Sequence, residues 1–261
     1  MALRVPTMQE YEAEGKKPDI LFWVGCSCSF DDRAKKITKA FAKLLNKAEV
    51  DFAVLGSEEG CTGDPAKRAG NEFLFQMQAK MNIETLNGYG IKKIVTACPH
   101  CYNTIKNEYP ELGGEYEVIH HTQFLAHLLE SGKLKVEGGQ FKGKRITYHD
   151  PCYLGRANDE YEASRDLLAK LEVELVEMED NKKNSLCCGA GGAQFFKESE
   201  KGSDEINQMR IKQAQDTQAD TIVTGCPFCN TMLADGMTKQ TTGNAMDIRD
   251  VVEMIAEAED L

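Results

Sequence analysis

The sequence contains no apolar run of about 18 residues, so no membrane-spanning helix is expected. Its first stretch, MALRVPTMQEYEAEGKKPD, is polar and acidic and lacks the apolar region of a signal peptide. Positive charge is scarce: 31 Lys and Arg stand against 42 Asp and Glu, a net charge of −11. That balance argues against nucleic acid as a main partner, because phosphate binding needs clustered Lys and Arg, and it disfavours anionic lipid surfaces. There is no G-x-G-x-x-G dinucleotide fingerprint, since the run Gly189-Ala190-Gly191-Gly192 follows a cysteine pair rather than a strand. The compact C-x2-C-x2-C-x3-C run of ferredoxins is missing too. The expectation is a cytoplasmic protein, its thiols kept reduced, with no motif of its own for binding an electron donor.

Cysteine, by contrast, is plentiful, at ten in 261 residues, and 41% hydrophobic residues suffice for a core. Nine of the ten fall into a pattern that occurs twice. Cys26 is followed by Cys61, then by Cys98 and Cys101. Cys152 is followed by Cys187 and Cys188, then by Cys226 and Cys229. Cys61 lies 35 positions after Cys26, and Cys187 lies 35 after Cys152. Each copy closes on C-P-x-C. Buried structural thiols scattered through a core would not repeat in this way. Thiolates gathered from several loops hold a soft metal or an iron–sulfur cluster.

The repeat extends beyond cysteine. Residues 92–105, KKIVTACPHCYNTI, match 219–232, ADTIVTGCPFCNTM. Each is a β-branched run, read as a buried strand, ending at a cysteine. Pro99 and Pro227 then sit where a helix can begin. The first half is expected to carry strands at 19–24, 52–55, 94–97 and 117–120. Its helices are expected at 32–48, 65–87 and 123–129, with Asp64-Pro65 as N-cap and first turn. The second half is expected to carry strands at 145–149, 174–177 and 221–224 and helices at 160–171, near 204–215 and near 230–237. A last helix over 247–256 corresponds to the helix that closes the first half. Alternating strands and helices predict an α/β fold of two pseudo-repeated halves, 19–135 and 144–257. Each half is a small, mostly parallel sheet with crossover helices, its cysteines at strand C-terminal ends. The boundary is expected in the Gly- and Lys-rich stretch 131–144.

The second cysteine set is the sharper one. Five thiolates exceed what one zinc takes, whereas a multi-iron cluster can distribute them over different irons. Gly189, Gly191 and Gly192 would let backbone wrap closely and offer N–H groups. The pattern C-x34-C-C-G-x35-G-C-P-x-C, with H-D-P-C-Y-L-G-R at 149–156 and G-C-P-F-C at 225–229, resembles the cysteine-rich domain in the B-type subunit of heterodisulfide reductase. Similar domains occur in the D-type subunit of that enzyme and in iron–sulfur subunits of glycolate oxidase, lactate-utilisation and anaerobic glycerol-phosphate enzymes. The resemblance covers residues 20–256 as a tandem pair. It implies a noncubane [4Fe–4S] cluster held by Cys152, Cys187, Cys188, Cys226 and Cys229.

The first set departs from this pattern. Thr62 stands where the second set has Cys188, leaving Cys26, Cys61, Cys98 and Cys101. Four thiolates suit a cubane [4Fe–4S] cluster or zinc, and an empty first site remains an alternative. Cys28 is an extra thiol, a fifth ligand only if the strand end bends sharply, and otherwise spare and, where exposed, oxidisable.

Two other readings compete. C-P-H-C at a strand-to-helix junction resembles a thiol oxidoreductase motif. Such a site needs a later proline facing it, yet no proline follows Pro227, Pro110 is too close and Pro151 lies inside the second motif. Structural zinc on the two C-x-x-C pairs would leave Cys26, Cys61, Cys152, Cys187 and Cys188 unused. Other candidates carry weaker signals. His100 would tune a metal or shape a helix start. His149 and Asp150 would hydrogen-bond near the cluster, relay protons or make turn contacts. His120 and His121 would cap or pack. Arg68 and Arg156 would offset cluster charge or form salt bridges.

The function these observations imply is an iron–sulfur electron-transfer subunit of a heterodisulfide-reductase-like oxidoreductase complex. Its expected partners are a ferredoxin-type iron–sulfur subunit and a flavoprotein or membrane quinone-linked subunit, through which it would meet the inner face of a membrane. One alternative is a disulfide reductase whose five-cysteine centre is catalytic, with a disulfide as substrate. The other is a zinc-stapled interaction module.

Overall fold

A computed structural model describes residues 3–136, 139–198, 202, 205–239 and 243–261. The chain divides into two compact units, 1–134 and 135–261.

The first unit opens with α1 (Met8–Ala13), whose Thr7–Glu10 capping box closes both ends of the first turn. Then β1 (Ile20–Trp23), every residue of it buried, runs at the centre of the sheet. The short α2 (Cys26–Phe30) leads into α3 (Ala34–Lys47). Ile37, Phe41, Leu44 and Leu45 form the buried stripe of α3, while its lysines lie outward or at the edge. Next come β2 (Phe52–Ala53), α4 (Asp64–Arg68), α5 (Glu72–Gly88), β3 (Lys93–Thr96), α6 (Pro99–Asn103), β4 (Glu117–His120) and α7 (His121–Glu130). The four strands pair in parallel in the order β2-β1-β3-β4.

The second unit repeats this plan. Its elements are β5 (Arg145–His149), α8 (Gly155–Asn158), α9 (Ala163–Lys170), β6 (Glu174–Leu175), α10 (Ile206–Asp216), β7 (Thr221–Thr224), α11 (Pro227–Lys239), β8 (Asp247–Asp250) and α12 (Val251–Ala258). The strands are again all parallel, in the order β6-β5-β7-β8. Ile211, Ala214, Ile222, Leu233, Met246 and Ile248 pack one face of this sheet. Burying each large aliphatic side chain stabilises the unit by about 1.5–3 kcal/mol. Among the described residues, no helix is long and apolar enough to cross a membrane.

The α/β alternation therefore builds the two parallel sheets that it predicts. Three details differ from the sequence reading. The helix expected over 65–87 is two helices, because Gly70 turns the chain at φ +85° and Asn71 starts a new helix by accepting from Leu74 N–H at 3.1 Å. Asp64 is not the N-cap. Gly63 is, at φ +89°, which places Asp64 and Pro65 inside the first turn of α4. The segment 247–256 is not one helix either. Its first four residues pair with β7 as an edge strand, and Asp250 then caps α12 by accepting from Val252 N–H. The start of the helix expected near 204 lies outside the described residues.

Gly63 is sterically fixed. A Cβ there would lie 2.8 Å from the Phe75 ring and 3.2 Å from its carbonyl oxygen, in a left-handed backbone conformation. Gly63→Ala is expected to destabilise the first unit by about 1–3 kcal/mol. Urea denaturation of the variant beside the parent measures this, and an unchanged midpoint would contradict it.

Candidate metal centres

Parallel topology brings the C-terminal ends of β1 and β3, and of β5 and β7, side by side. Cys98 caps α6 and Cys101 is its third residue; Cys226 precedes α11 and Cys229 is its third residue. In both helices proline fills the first position, where no backbone N–H is needed. Cys26 and Cys152 follow β1 and β5. Cys61, Cys187 and Cys188 are not at strand ends. They arrive on loops well past the short β2 and β6, so other contacts must place them.

In the first unit, Glu59 supplies one such contact. Its carboxylate accepts from Val24 N–H at 2.9 Å and Gly25 N–H at 2.5 Å, pinning the loop to the end of β1. Burial pushes this carboxyl up to about 7, against the pull of those two donors. Asn82 on α5 donates to the Cys61 carbonyl at 2.8 Å and to the Tyr109 hydroxyl at 3.0 Å. Tyr109 in turn donates to the Thr62 carbonyl at 3.2 Å. Gly25 turns at φ +80°, and a Cβ there would lie 3.2 Å from Cys101 Sγ, so its lack of a side chain lets backbone lie against the thiol.

The four thiols of the first set come together. Cys26 hydrogen-bonds Cys61, Cys98 hydrogen-bonds Cys101, and Cys101 also feels the charges of Cys26 and Cys61. The hydrogen bond from Cys26, aided by Gly63 N–H at 3.5 Å, holds the Cys61 thiol down to about 7, and the Cys26 thiol is pushed up correspondingly. Thr62 keeps a hydroxyl near this group, with Oγ1 4.0 Å from Cys101 Sγ. Cys28 is buried on α2, so it is not an exposed, oxidisable thiol. His100 does more than start a helix. Its Nδ1 lies 2.9 Å from Asp64 Oδ2, while Arg68 Nε donates to Asp64 Oδ1 at 3.0 Å and the guanidinium also pairs with Glu108. Burial would raise the Asp64 carboxyl, but His100 and Arg68 outweigh it and hold it below its ordinary value.

The second set forms one group of five. Cys152 hydrogen-bonds Cys187, Cys187 hydrogen-bonds Cys188, Cys188 hydrogen-bonds Cys229, and Cys229 hydrogen-bonds Cys226. Hydrogen bonds from Cys152 and Cys188, joined by Gly189 N–H at 3.3 Å and by the backbone of Gly191, drive the Cys187 thiol far below the ordinary thiol range. The hydrogen bond to Cys187 pushes Cys152 and Cys188 up, with burial adding to the shift. Two thiolates about 4 Å apart would repel by roughly 4 kcal/mol at an effective dielectric of 20, so five cannot ionise together without a cation among them.

Sequence reasoning missed the scaffold of this loop. Arg210 is fully buried. It donates to His149 Nδ1 at 3.0 Å, to the Asp180 carbonyl at 2.8 Å, to Gln213 Oε1 at 2.7 Å and to Ser185 Oγ at 3.1 Å. Arg156 donates to the Ser185 carbonyl, so it positions the cysteine loop through backbone rather than by a salt bridge. Asp150 accepts both Arg165 Nη1 at 2.8 Å and Nη2 at 3.0 Å, and it also accepts Lys182 N–H at 2.8 Å. Phe228, at the position of His100, instead packs edge-on against Phe195 with centroids 4.9 Å apart. His120 caps α7 through Gln123, and His121 packs against Phe41, its pKa lowered to about 3 by burial. No single local motif marks Glu59, Asn82, Tyr109 or Arg210.

A family model described as the CCG cysteine-rich domain matches residues 20–106 and again 146–234. The chain is 46% identical over 255 residues to a probable iron–sulfur-binding oxidoreductase, FadF, of Bacillus subtilis (strain 168), covering 97% of this chain and 36% of that protein. It is 43% identical over 251 residues to an EtfAB:quinone oxidoreductase of Syntrophomonas wolfei, covering 94% of this chain and 35% of that one. The D-type subunit of the dihydromethanophenazine:CoB–CoM heterodisulfide reductase of Methanosarcina barkeri is 36% identical over 253 residues, 93% of this chain and 59% of that protein. The chain thus spans from about a third to three fifths of the length of these relatives.

Proposed function

The chain belongs to the CCG cysteine-rich domain family, in two copies, and from that premise we propose that it is the iron–sulfur electron-transfer part of a heterodisulfide-reductase-like oxidoreductase. The observation that carries this reading is the convergence of five thiols in the second unit, linked in the chain Cys152–Cys187–Cys188–Cys229–Cys226. Zinc takes four ligands, so a fifth convergent thiol suits a polynuclear iron centre. A buried ring nitrogen of His149 beside that group, without a partner among the described residues, suits inorganic sulfide as well.

In this proposal Cys152, Cys187, Cys188, Cys226 and Cys229 hold a [4Fe–4S] cluster, of noncubane type by the family resemblance. Cys26, Cys61, Cys98 and Cys101 hold a second, cubane cluster. Such clusters supply one-electron transfer when bound. The protein holds the thiolates, keeps two of their loops pinned through Glu59 and Arg210, and supplies backbone N–H groups from Gly63, Gly189 and Gly191. The proposed partners are a ferredoxin-type iron–sulfur unit and a flavoprotein or quinone-linked unit; the name of the EtfAB:quinone oxidoreductase relative supports the quinone link. The proposed setting is the reducing cytoplasm, with a partner as the route to any membrane.

A second reading, that the five-thiol centre itself reduces a disulfide, is favoured by the partial exposure of Cys152 and Cys187. A thiol or disulfide added to the oxidised protein should then change its spectrum, whereas a closed carrier should not respond.

The deciding experiment is iron, zinc and acid-labile sulfide content of anaerobically purified protein, with an EPR spectrum of the same sample. About eight irons per chain with matching sulfide is the expected result. Zinc without sulfide would overturn the redox reading.

A further inference from the structure

We propose that His149 serves the second thiol group as an obligatory N–H donor and not as a ligand, with Arg210 as the positioning residue that fixes its tautomer. This inference rests on the iron–sulfur reading of that group.

A ring nitrogen of His149 and the sulfurs of Cys188 and Cys229 lie within 4.8 Å of one another, and all three residues are buried. By position alone this trio would read as a His-Cys-Cys metal site. The hydrogen bonding says otherwise. Arg210 Nε donates to His149 Nδ1 at 3.0 Å. A guanidinium has donors only and does not deprotonate, so Nδ1 must supply a lone pair there. The ring is then neutral and carries its one proton on Nε2. That atom is buried and has no partner among the described residues, so with Nδ1 engaged by Arg210 it is the ring nitrogen free to donate. An N–H cannot bind a metal, but it can donate to a thiolate or a sulfide.

Arg210 is itself held against turning. Three further hydrogen bonds, to the Asp180 carbonyl, Gln213 Oε1 and Ser185 Oγ, fix its plane, and none of these acceptors is a carboxylate. The charges that offset this buried cation are those of Asp150 and Asp180, followed by the thiols of Cys229 and Cys188.

The first unit supplies an independent parallel. His149 stands three positions before Cys152, and Trp23 stands three positions before Cys26. Each is the last residue of its strand and pairs with the corresponding threonine of the neighbouring strand, Thr224 or Thr96. The preceding residues face the other way: Tyr148 bonds Ser164 on α9, and Phe22 packs on Phe41 of α3. Trp23 and His149 therefore share the opposite face of their sheets. Trp23 Nε1 is also a buried N–H without a partner among the described residues. Indole can only donate. One unit meets the requirement by residue type, the other by Arg210.

A donor to cluster sulfur stabilises the reduced, more negative state and raises the potential. His149→Phe should therefore retain full iron while its second-site midpoint moves negative, by about tenfold in the one-electron equilibrium, or about 59 mV. EPR-monitored redox titration reads this, and Arg210→Lys should shift the same signal in the same direction. Loss of second-site iron from a folded His149→Phe protein would make His149 a ligand, and an unmoved midpoint would remove the donor contact. Either result overturns the inference. Electron–nuclear double resonance on the reduced parent protein, labelled with 15N-histidine, needs no variant. Weak nitrogen coupling with an exchangeable proton is expected, and the strong coupling of a bound nitrogen would overturn the inference. A parent protein that holds zinc and no sulfide would instead defeat the cluster reading on which it rests.

Discussion

Replacing Cys187 and Cys188 together by serine should halve the iron of the purified protein, from about eight to about four per chain, with sulfide falling in step. Cys187 is the hub of the second group. It accepts from Cys152, Cys188, Gly189 and Gly191, and it is the thiol most strongly driven toward the thiolate. Cys188 links it to Cys229 on α11. Without the pair, Cys152, Cys226 and Cys229 remain, one thiol short of even a cubane site. Serine is a poor substitute because its hydroxyl does not ionise near neutral pH and is a harder donor than thiolate. The fold should survive, since Thr62 already places a hydroxyl near Cys101 in the first unit. Iron, zinc and sulfide analysis separates the readings: unchanged metal content would support zinc held by the C-x-x-C pairs. A finer variant, Cys188→Thr, copies the first unit's pattern. It should keep iron in the second site and give it an EPR signal like that of the first.

Asp150→Ala should destabilise the second unit by about 3 kcal/mol, the low end of the 3–5 kcal/mol range for removing one partner of a buried pair, because Glu177 remains to Arg165. Asp150 is 3% exposed and binds both Nη atoms of Arg165, whose side chain is 9% exposed. Burial would lower the Arg165 pKa, but the hydrogen bonds to Asp150 and Glu177 outweigh it and raise it. Asp150 also receives Lys182 N–H, tying the end of β5 to the segment that leads into Cys187. Two effects should therefore appear together: an earlier urea transition for the second unit and a faster loss of its iron. With a slope of 1–3 kcal/mol per molar urea, the midpoint should fall by about 1–3 M. A variant with the parental midpoint would mean that Arg165 finds full compensation elsewhere.

Much of this was legible in the residues. Val, Ile and Thr runs ending at cysteine announced β3 and β7, because parallel strands buried on both faces must be continuously apolar or β-branched. Strands and helices in alternation sufficed for two parallel sheets. The 35-residue step, occurring twice, exposed the repeat. Local rules failed where short-range signals compete. Gly70-Asn71 splits a helix that periodicity alone would continue, and the alternating M-D-I-R-D of β8 was absorbed into the apolar period of α12.

The cysteine spacing by itself determined which thiols belong to which half, because repetition at matched intervals survives whatever the loops do. Tertiary structure alone decided how those thiols are presented. Cys61 depends on Glu59, Asn82 and Tyr109, and the Cys187 loop depends on Ser185, held by Arg156 and Arg210. Hydrogen bonds between residues 21 to 47 positions apart leave no local trace in a sequence, since any polar side chain can make them. The proposed choice of His149 between coordinating and donating turns on a guanidinium 61 positions away. Residue type offers both roles, and only the neighbour that takes Nδ1 selects one.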